Sequence, residues 1–434
     1  MASEAVFAER VSTHRLTAGA RLAVLVNPHA PTVTIAGTLR AGPAYTAGRF
    51  AVAGLAAAML DRGTAEHDRL ELAGELENRG LQLAVRASAG SPTIVSFSAQ
   101  GLAEELPRLV ALLVEVMRRP TFPSLELDKL REQILGSLVR ERQETHERAF
   151  AALSRALFPE GHPLRRREIE VREREVRSLT REELAAFHEA VYGPATMVLA
   201  VVGHVDPATV ASLFEEQMQD WSNPGIEEPS WPEAEEPEPI EERIQIADRP
   251  SLDVFLGHRG RLLRGSENYP AAVLANSCLG QSTLTSRLGK VVRDEHGLTY
   301  GIYSRFFGTL HVAGPWATSV GVSAANLDRA VELSRQVIAD YVENGPTEEE
   351  AADERSALAG AYRVGLATNS GVARELVTAL SVGEGVDRLD RFPEDVLAVT
   401  HDQLMEAIRE YLHPDRLVLT AAGDFQDDVK TLER

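Results

Sequence analysis

The sequence predicts an α+β fold built from two homologous domains, each a largely antiparallel β-sheet packed with α-helices. Three observations lead to this prediction. The two halves of the chain repeat the same motifs, strand-like and helix-like patterns alternate in blocks within each half, and an acidic, proline-rich segment separates the halves. The length of 434 residues is sufficient for two or three domains at roughly 150 residues per domain.

The segment between the halves differs in composition from the rest of the chain. Residues 223–242 contain eight glutamates and five prolines and no basic residue. Proline disfavours both helix and central strand, and the like charges repel one another. We therefore predict an extended, semi-rigid connector over residues 223–243, able to serve as a hinge, between an N-terminal domain (1–222) and a C-terminal domain (244–434).

An internal duplication is visible at a constant spacing. A set of first-half residues recurs 220 positions later, namely Thr180, Leu184, Pro194, Val198-Leu199 and Gly203 as Thr400, Leu404, Pro414, Val418-Leu419 and Gly423. Each copy is typical of a capped helix, a turn marked by proline and a buried strand ending at glycine. Further matches at offsets of 217 and 223 keep the same order, so the chain is predicted to contain two similar domains.

Within the first half, apolar periodicity predicts the individual elements. Residues 21–26 and 32–39 are rich in apolar and β-branched residues, as expected for the two strands of a hairpin. Helical spacing covers residues 66–78, 102–118, 125–148 and 181–191. Because strands and helices occur in blocks, we expect the helices to lie on one face of each sheet.

Composition excludes several classes of function. The 45 basic and 65 acidic residues give a net charge of −20, which argues against nucleic-acid binding and against docking on an anionic membrane. The single cysteine, Cys278, excludes an intramolecular disulfide and a cysteine-based zinc site, and is predicted to be a core residue. The chain shows no signal-peptide pattern and no apolar run long enough for a membrane span, so we expect a cytoplasmic protein.

Common catalytic motifs are absent from the sequence. There is no phosphate-binding Gly-rich loop, no Gly-x-Ser-x-Gly, no His-x-x-Glu-His and no His-Glu-x-x-His among the 434 residues. His67, Glu71 and Glu75 share a predicted helix face, but ligands spread over eight positions lie too far apart for one ion. We interpret them as a solvated polar face, and His162 before Pro163 as a loop residue that packs or caps.

One segment nevertheless has the frame of a known zinc helix. Residues 54–64, a helical pattern containing Met59-Leu60 and closed by Gly63-Thr64, resemble the zinc helix of the pitrilysin/insulinase metallopeptidases, a family that includes the mitochondrial processing peptidases. The resemblance extends over nearly the whole chain, through the runs Gly161-His-Pro163, Tyr192-Gly-Pro-Ala-Thr-Met-Val-Leu199, Ser286-Arg-Leu-Gly-Lys-Val-Val-Arg-Asp-Glu-His-Gly-Leu-Thr-Tyr-Gly301, Thr347-Glu-Glu-Glu350 and Ala422-Gly-Asp424. It implies the two-domain architecture of that family.

The chain departs from the family at the metal ligands. Active members carry His-x-x-Glu-His where this sequence has Gly54, Ala57 and Ala58, and their distal glutamate ligand falls near Ser137. Neither glycine nor alanine can bind a metal or transfer a proton. The resemblance therefore implies a degenerate site, with no metal or other cofactor bound by this chain.

The family's second functional pair is present. The resemblance assigns Arg293 and Tyr300 to the arginine and tyrosine that reach the substrate at a zinc site. A tyrosine hydroxyl can donate a hydrogen bond to an oxyanion, and a guanidinium can hold a peptide carbonyl or carboxylate. The alternative is that Arg293 pairs with a surface acid and Tyr300 packs at a strand edge. The first-half positions 217 residues earlier hold Leu76 and Leu83, so the fold itself does not require Arg and Tyr there.

Two functional hypotheses follow from the resemblance. In the first, this chain is half of an enzyme and supplies Arg293 and Tyr300, while a related subunit carrying the zinc motif completes a peptidase. Zinc is then expected in the partner, and the substrate is a peptide or unfolded polypeptide bound as an added strand. Self-association of the chain stays open as an alternative to this heterodimer. In the second, the chain is a degenerate structural or peptide-binding subunit with no role in proteolysis.

Overall fold

The structure is a computed structural model that describes residues 7–88, 90–222 and 226–426. Its strands are β1 Val11–Arg15, β2 Arg21–Val26, β3 Thr32–Leu39, β4 Gln82–Ser88, β5 Ser91–Leu102, β6 Val198–Gly203, β7 Glu241–Gln245, β8 Ser251–His258, β9 Ile302–Phe306, β10 Trp316–Ser323 and β11 Val418–Gly423. They form two sheets with mixed α/β surroundings, so the predicted fold class is confirmed.

The helices connect and cover these sheets. They are α1 Phe7–Arg10, α2 Ala51–Met59, α3 Arg69–Asn78, α4 Leu106–Arg118, α5 Ser124–Glu141, α6 Thr145–Leu157, α7 Ile169–Ser178, α8 Arg181–Val191, α9 Pro207–Met218, α10 Tyr269–Asn276, α11 Leu327–Asn344, α12 Glu348–Gly365, α13 Asn369–Ser381, α14 Arg388–Ala398 and α15 His401–Tyr411. Two π-helical segments, Ser277–Gln281 and Gly289–Glu295, follow α10.

The duplicated helix starts are capped as predicted. The Thr180 side chain accepts a hydrogen bond from the Glu183 amide at the start of α8, and Thr400 does the same for Gln403 at the start of α15. In both helices the third residue returns the interaction to the cap backbone, which satisfies two amides that the helix itself leaves unpaired.

The chain forms two compact units that exchange segments. The first unit contains Met1–Leu135, Glu170–Ser230 and Gly360–Pro393, and the second contains Gly136–Ile169, Trp231–Ala359 and Glu394–Arg434. Each unit therefore includes a segment from the other half of the sequence. The predicted domains, 1–222 and 244–434, were defined by order along the chain. Their boundaries remain a prediction.

The sheet of the first unit has the strand order β1-β2-β6-β3-β5-β4 and is antiparallel except for the β2–β6 pair. On one face α13 covers β3 and β6, where Leu376 and Val377 pack with Ala200 and Val202. On the other face α4 and α9 pack against the sheet, and Leu113 and Phe214 lie beside Leu199.

The sheet of the second unit has the order β7-β11-β8-β10-β9, again with a single parallel pair, β7–β11. Helix α6 covers β8 and β11 on one face, and α10, α11 and α15 share the core on the other. The order of β2, β6, β3, β5 and β4 thus recurs as β7, β11, β8, β10 and β9. This recurrence is the structural counterpart of the sequence duplication.

Three sequence predictions need correction. Both faces of each sheet carry helices, because α6 and α13 are supplied by the opposite sequence halves and periodicity carries no information about such distant packing. Strands β2 and β3 do not form a hairpin, since β6 lies between them. The helix predicted over 125–148 is two helices, α5 and α6, separated at residues 142–144.

The connector divides between the two units. Asn223, Pro224 and Gly225 lie outside the described residues, and Glu228 forms an ion pair with Arg40 in the first unit. From Trp231 onward the connector belongs to the second unit, where Ala234 is 3% exposed within the core under α6. Glu236 accepts a hydrogen bond from Arg261 at 3.2 Å and forms an ion pair with Arg416 at 3.4 Å.

Candidate functional site

Helix α2 carries the degenerate zinc motif. Its alanine-rich sequence favours helix, and the following single turn ends at Gly63, whose φ of 149° is accessible mainly to glycine. The helix packs against β4, the edge strand of the first sheet. Ala57 is 2% exposed, whereas Gly54 and Ala58 are half-buried.

The motif positions offer no ligand to a metal. Gly54, Ala57 and Ala58 lack donor atoms in their side chains. A Cβ atom added at Gly54 meets nothing within 4 Å, so the space for a side chain exists but is unused. No group of three His, Cys, Asp or Glu side chains suited to a metal occurs within residues 7–88, 90–222 and 226–426. These residues do not fit a zinc ion.

An arginine that the sequence reasoning did not single out connects α2 with α5. The Arg62 Nε donates to the carbonyl oxygen of Ala58 at 3.1 Å, and its Nη2 donates to the Gln133 side chain at 3.2 Å. Arg62 also lies 3.6 Å from the Glu126 carboxylate. Beside it, burial raises the pKa of Asp61 despite the nearby guanidinium. The one related signal in the sequence is that Gln133 lies four positions before Ser137, the position expected for the distal ligand.

Ser137, the position assigned to the distal ligand, lies on α5 and is exposed. It belongs to the second compact unit, while Gly54, Ala57 and Ala58 lie together in the first.

His67 precedes α3, which is capped by Asp68, so of the three residues predicted to share a helix face only Glu71 and Glu75 lie on the helix. His67 Nδ1 lies 2.8 Å from the Glu115 carboxylate, and His67 Nε2 lies 3.3 Å from Arg108. Arg108 also pairs with Glu75 at 2.8 Å. Glu71 accepts from the Asp68 amide and completes a capping box. All three residues considered as ligands are therefore occupied in the local fold.

His162 packs in the second unit, as predicted from its loop position. Its ring stacks on Phe158 with centroids 4.5 Å apart, and its Nδ1 accepts from the Leu164 amide at 3.2 Å. Burial lowers the pKa of His162 to about 4, so the ring is neutral at pH 7.

Arg293 and Tyr300 lie on one connection of the second unit. Arg293 belongs to the second π-helical segment, a conformation that often occurs at functional sites. This segment ends at Glu295, and two residues later Gly297, with a φ of 61°, donates its amide to the Arg293 carbonyl oxygen at 2.9 Å. The Leu298 amide then donates to Val292 at 3.1 Å, and Tyr300 follows just before β9.

The two side chains have different surroundings. Arg293 is 33% exposed and pairs with the adjacent Asp294 at 2.5 Å, as the alternative interpretation expected. Tyr300 is 100% exposed and does not pack at a strand edge, contrary to that interpretation. In the first unit the equivalent Leu83 is part of β4 and pairs with Ala99.

Acidic residues of α12 accept hydrogen bonds from residues 277–287, the part of the chain that precedes Arg293. Glu354 accepts a hydrogen bond from Ser277 at 2.5 Å and from Thr285 at 3.3 Å, and Glu350 accepts from Arg287 at 2.6 Å. Next to them, Cys278 is buried, as predicted, and burial raises the pKa of its thiol to about 12. The thiol is therefore a core group and is not poised for chemistry.

Among the described residues, no helix is both long enough and apolar enough to cross a bilayer.

Two family models match the chain. Residues 22–167 match the insulinase model (peptidase family M16), and residues 178–358 match the model of the peptidase M16 inactive domain. The two matches leave out residues 1–21, 168–177 and 359–434.

Several curated proteins are similar in sequence. The uncharacterized zinc protease YmxG of Bacillus subtilis is 22% identical over 364 residues, which cover 82% of this chain and 84% of that protein. The non-peptidase homolog YmxG of Helicobacter pylori is 21% identical, covering 72% and 70%. The mitochondrial-processing peptidase subunit beta of Lentinula edodes is 23% identical, covering 94% and 89%.

Solved structures share the fold. A peptidase M16 inactive domain from Pseudomonas fluorescens superposes with a TM-score of 0.86 at 24% identity, covering 95% of this chain and 98% of that one. A protease from Helicobacter pylori gives a TM-score of 0.83 at 15% identity, covering 95% and 99%.

Proposed function

Because the chain belongs to the insulinase (M16) family of peptidases, we propose that it is the non-zinc subunit of a two-chain peptidase and contributes Arg293 and Tyr300 to a partner's zinc site. The full exposure of Tyr300 is the observation that carries this proposal. Its hydroxyl is free to meet a second chain or a substrate, whereas the motif helix α2 has no group for metal or acid–base chemistry.

The chemistry assigned to the pair follows from the two functional groups. The Tyr300 hydroxyl donates a hydrogen bond to the oxyanion that forms when water attacks a peptide carbonyl. The Arg293 guanidinium binds a carbonyl or carboxylate of the peptide and fixes its register. The partner supplies the zinc and the general base, and this chain moves no proton of its own in the reaction.

The sheet edges suggest where an extended peptide binds. On β9 the carbonyl oxygens of Ile302 and Ser304 accept from the side chains of Thr283 and Asn276, at 3.0 Å each. These contacts occupy the outer edge of β9. Of the remaining edge strands, β1, β4 and β7, we propose β4 for strand addition because it lies beside the motif helix α2.

The comparisons support both the proposal and its rival. One similar protein is named a subunit of the mitochondrial processing peptidase, which fits a chain that acts with a partner. Another is named a non-peptidase homolog, which also fits a structural or peptide-binding subunit with no role in proteolysis. The exposed Tyr300 favours the first alternative, because a purely structural subunit gains nothing from it.

Purification of the chain from its source, with mass spectrometry of the retained proteins, tests the pairing. We expect a near-stoichiometric relative containing His-x-x-Glu-His, and peptide hydrolysis by the pair. The variant Tyr300→Phe should reduce hydrolysis, whereas Tyr303→Phe, a matched change at a residue 46% exposed on β9, should not. Recovery of the chain alone, or of a complex lacking that motif, contradicts the heterodimer and favours self-association or a structural role.

A further inference from the structure

Strand β10 pairs with β9 over a shorter stretch than it pairs with β8. The last matched residues are Ile302 and Val320, although β10 continues to Ser323 and pairs there with β8. In the first unit the corresponding strand β4 stays paired down to Gln82, which is equivalent to position 299 at the 217-residue offset. The second unit has therefore lost three residue pairs at this point.

A threonine hydroxyl lies where the missing pairing would continue. Extending the register from Ile302 and Val320 places Gly301 opposite Gly321. The Thr299 Oγ1 accepts from the Gly301 amide at 3.1 Å and lies 2.6 Å from the Gly321 carbonyl oxygen, to which it donates. The Gly301 carbonyl oxygen, at 2.9 Å, is a more distant acceptor for the same proton. The hydroxyl thus stands between two backbone groups that would otherwise bond directly.

Because the Thr299 hydroxyl lies between these two backbone groups, the chain does not pair with the sheet immediately beside Tyr300. On the preceding side, the amides of Gly297 and Leu298 are bound to the π-helical segment. The backbone on both sides of Tyr300 is hydrogen-bonded while its side chain is fully exposed. The exposure is therefore imposed by the local fold and does not depend on a loose loop.

We propose that Thr299 is a positioning residue: its hydroxyl keeps β9 from extending back to Tyr300 and so presents that side chain to solvent. The use of the presented side chain by a substrate rests on the proposed function, whereas the presentation itself does not. Without the hydroxyl, Gly301 can bond to Gly321 directly, and Tyr300 is drawn into an extended β9 in the manner of Leu83 in β4.

Nitration of tyrosines by tetranitromethane, mapped by mass spectrometry, tests the presentation in the full-length chain. Thr299→Val removes the hydroxyl, keeps the shape and favours a strand. We expect nitration of Tyr300 to slow by about fivefold, the factor equivalent to about one net backbone hydrogen bond. Thr299→Ser should nitrate at the wild-type rate, with Tyr303 as the reference within the same chain.

A wild-type nitration rate of Tyr300 in Thr299→Val overturns the inference. If that variant does not unfold cooperatively, Thr299→Ala provides the same comparison with a smaller side chain. Equal slowing in Thr299→Ser and Thr299→Val also overturns it, because the effect would then not depend on the hydroxyl.

A double-mutant cycle on peptide hydrolysis by the assembled pair tests the functional consequence. If Thr299 acts through Tyr300, Thr299→Val lowers kcat in the wild type and has little effect in the Tyr300→Phe background. Equal losses in both backgrounds contradict this. If Tyr300→Phe alone leaves hydrolysis unchanged, the proposed function fails, and the nitration rates decide the role of Thr299 independently.

Discussion

The Thr420 hydroxyl donates to the backbone carbonyl oxygen of Ala149 at 2.9 Å, within the second compact unit. Thr420 lies in the last strand, β11, and Ala149 lies in α6 from the first half of the sequence. This contact is one part of a buried interface between α6 and the second sheet. Helix α13 has the same relationship to the first sheet.

The exchange of α6 and α13 predicts that neither sequence half folds alone. Expressed separately, residues 1–222 and 244–434 each leave one apolar sheet face uncovered. We expect no cooperative thermal unfolding for either fragment and recovery of a cooperative transition when the two are co-expressed. A cooperative transition in an isolated fragment contradicts the exchange as a requirement for folding.

Helix α2 is predicted to tolerate a methyl group but not a carboxylate. Gly54→Ala adds a Cβ into open space and should stabilise the chain by about 0.5–1 kcal/mol, as expected for alanine in a helix interior. Ala57→Glu places a charge at a position 2% exposed and should cost about 2–4 kcal/mol. Urea unfolding measures both, and equal stability of the two variants contradicts the described packing.

The second part of the acidic connector should behave as part of a core. Ala234→Asp introduces a charge into the cluster beneath α6 and is expected to destabilise the chain by about 2–4 kcal/mol. Glu235→Ala, at the exposed neighbouring position, should change stability by less than about 0.5 kcal/mol. Similar melting temperatures for both variants would show that this segment is an undocked linker.

Buried histidines should make the chain sensitive to mild acid. Burial lowers the pKa of His258 to about 4 from its ordinary value of 6.5, and the ring Nε2 accepts from the His413 amide. Between pH 4 and pH 6.5 the unfolded chain therefore binds a proton at this histidine, whereas the folded chain does not. Stability is full above pH 6.5 and falls as the pH drops toward 4, by at most about 3 kcal/mol for this group.

Urea unfolding of wild type and His258→Gln across this range separates His258 from other titrating groups, including His162, which shifts in the same direction. The wild type should lose more stability than the variant on acidification. Parallel curves for the two proteins contradict the assignment.

The sequence predicted those features that depend on local patterns. The capped helices after Thr180 and Thr400 needed only residue types and spacing. The assignment of Gly54, Ala57 and Ala58 to ligand positions came from the family resemblance instead, and it remains a prediction. The contact from Arg62 to Gln133 could not be predicted from local patterns, because it joins side chains 71 positions apart. The placement of β6 between β2 and β3 was missed for the same reason.

The surroundings of Thr299 and Ala234 could not be predicted from the sequence pattern either. Thr299 precedes a strand and is itself typical of strands, so nothing in the sequence indicates that its hydroxyl interrupts the pairing. Ala234 lies in a run of glutamate and proline that is typical of solvent-exposed linkers, yet it is buried. The Thr299 hydroxyl bonds to Gly321, and Ala234 packs in the cluster under α6, so in both cases tertiary contacts override the local preference.

The most direct test of the account is the kcat of peptide hydrolysis by the assembled pair, with wild-type chain or Tyr300→Phe, normalised to bound zinc. We predict an unchanged zinc content and a kcat about 10²–10³-fold lower in Tyr300→Phe, the range found when one oxyanion donor is removed. An equal kcat at equal zinc content would contradict the assignment of Tyr300 to catalysis in the partner's site.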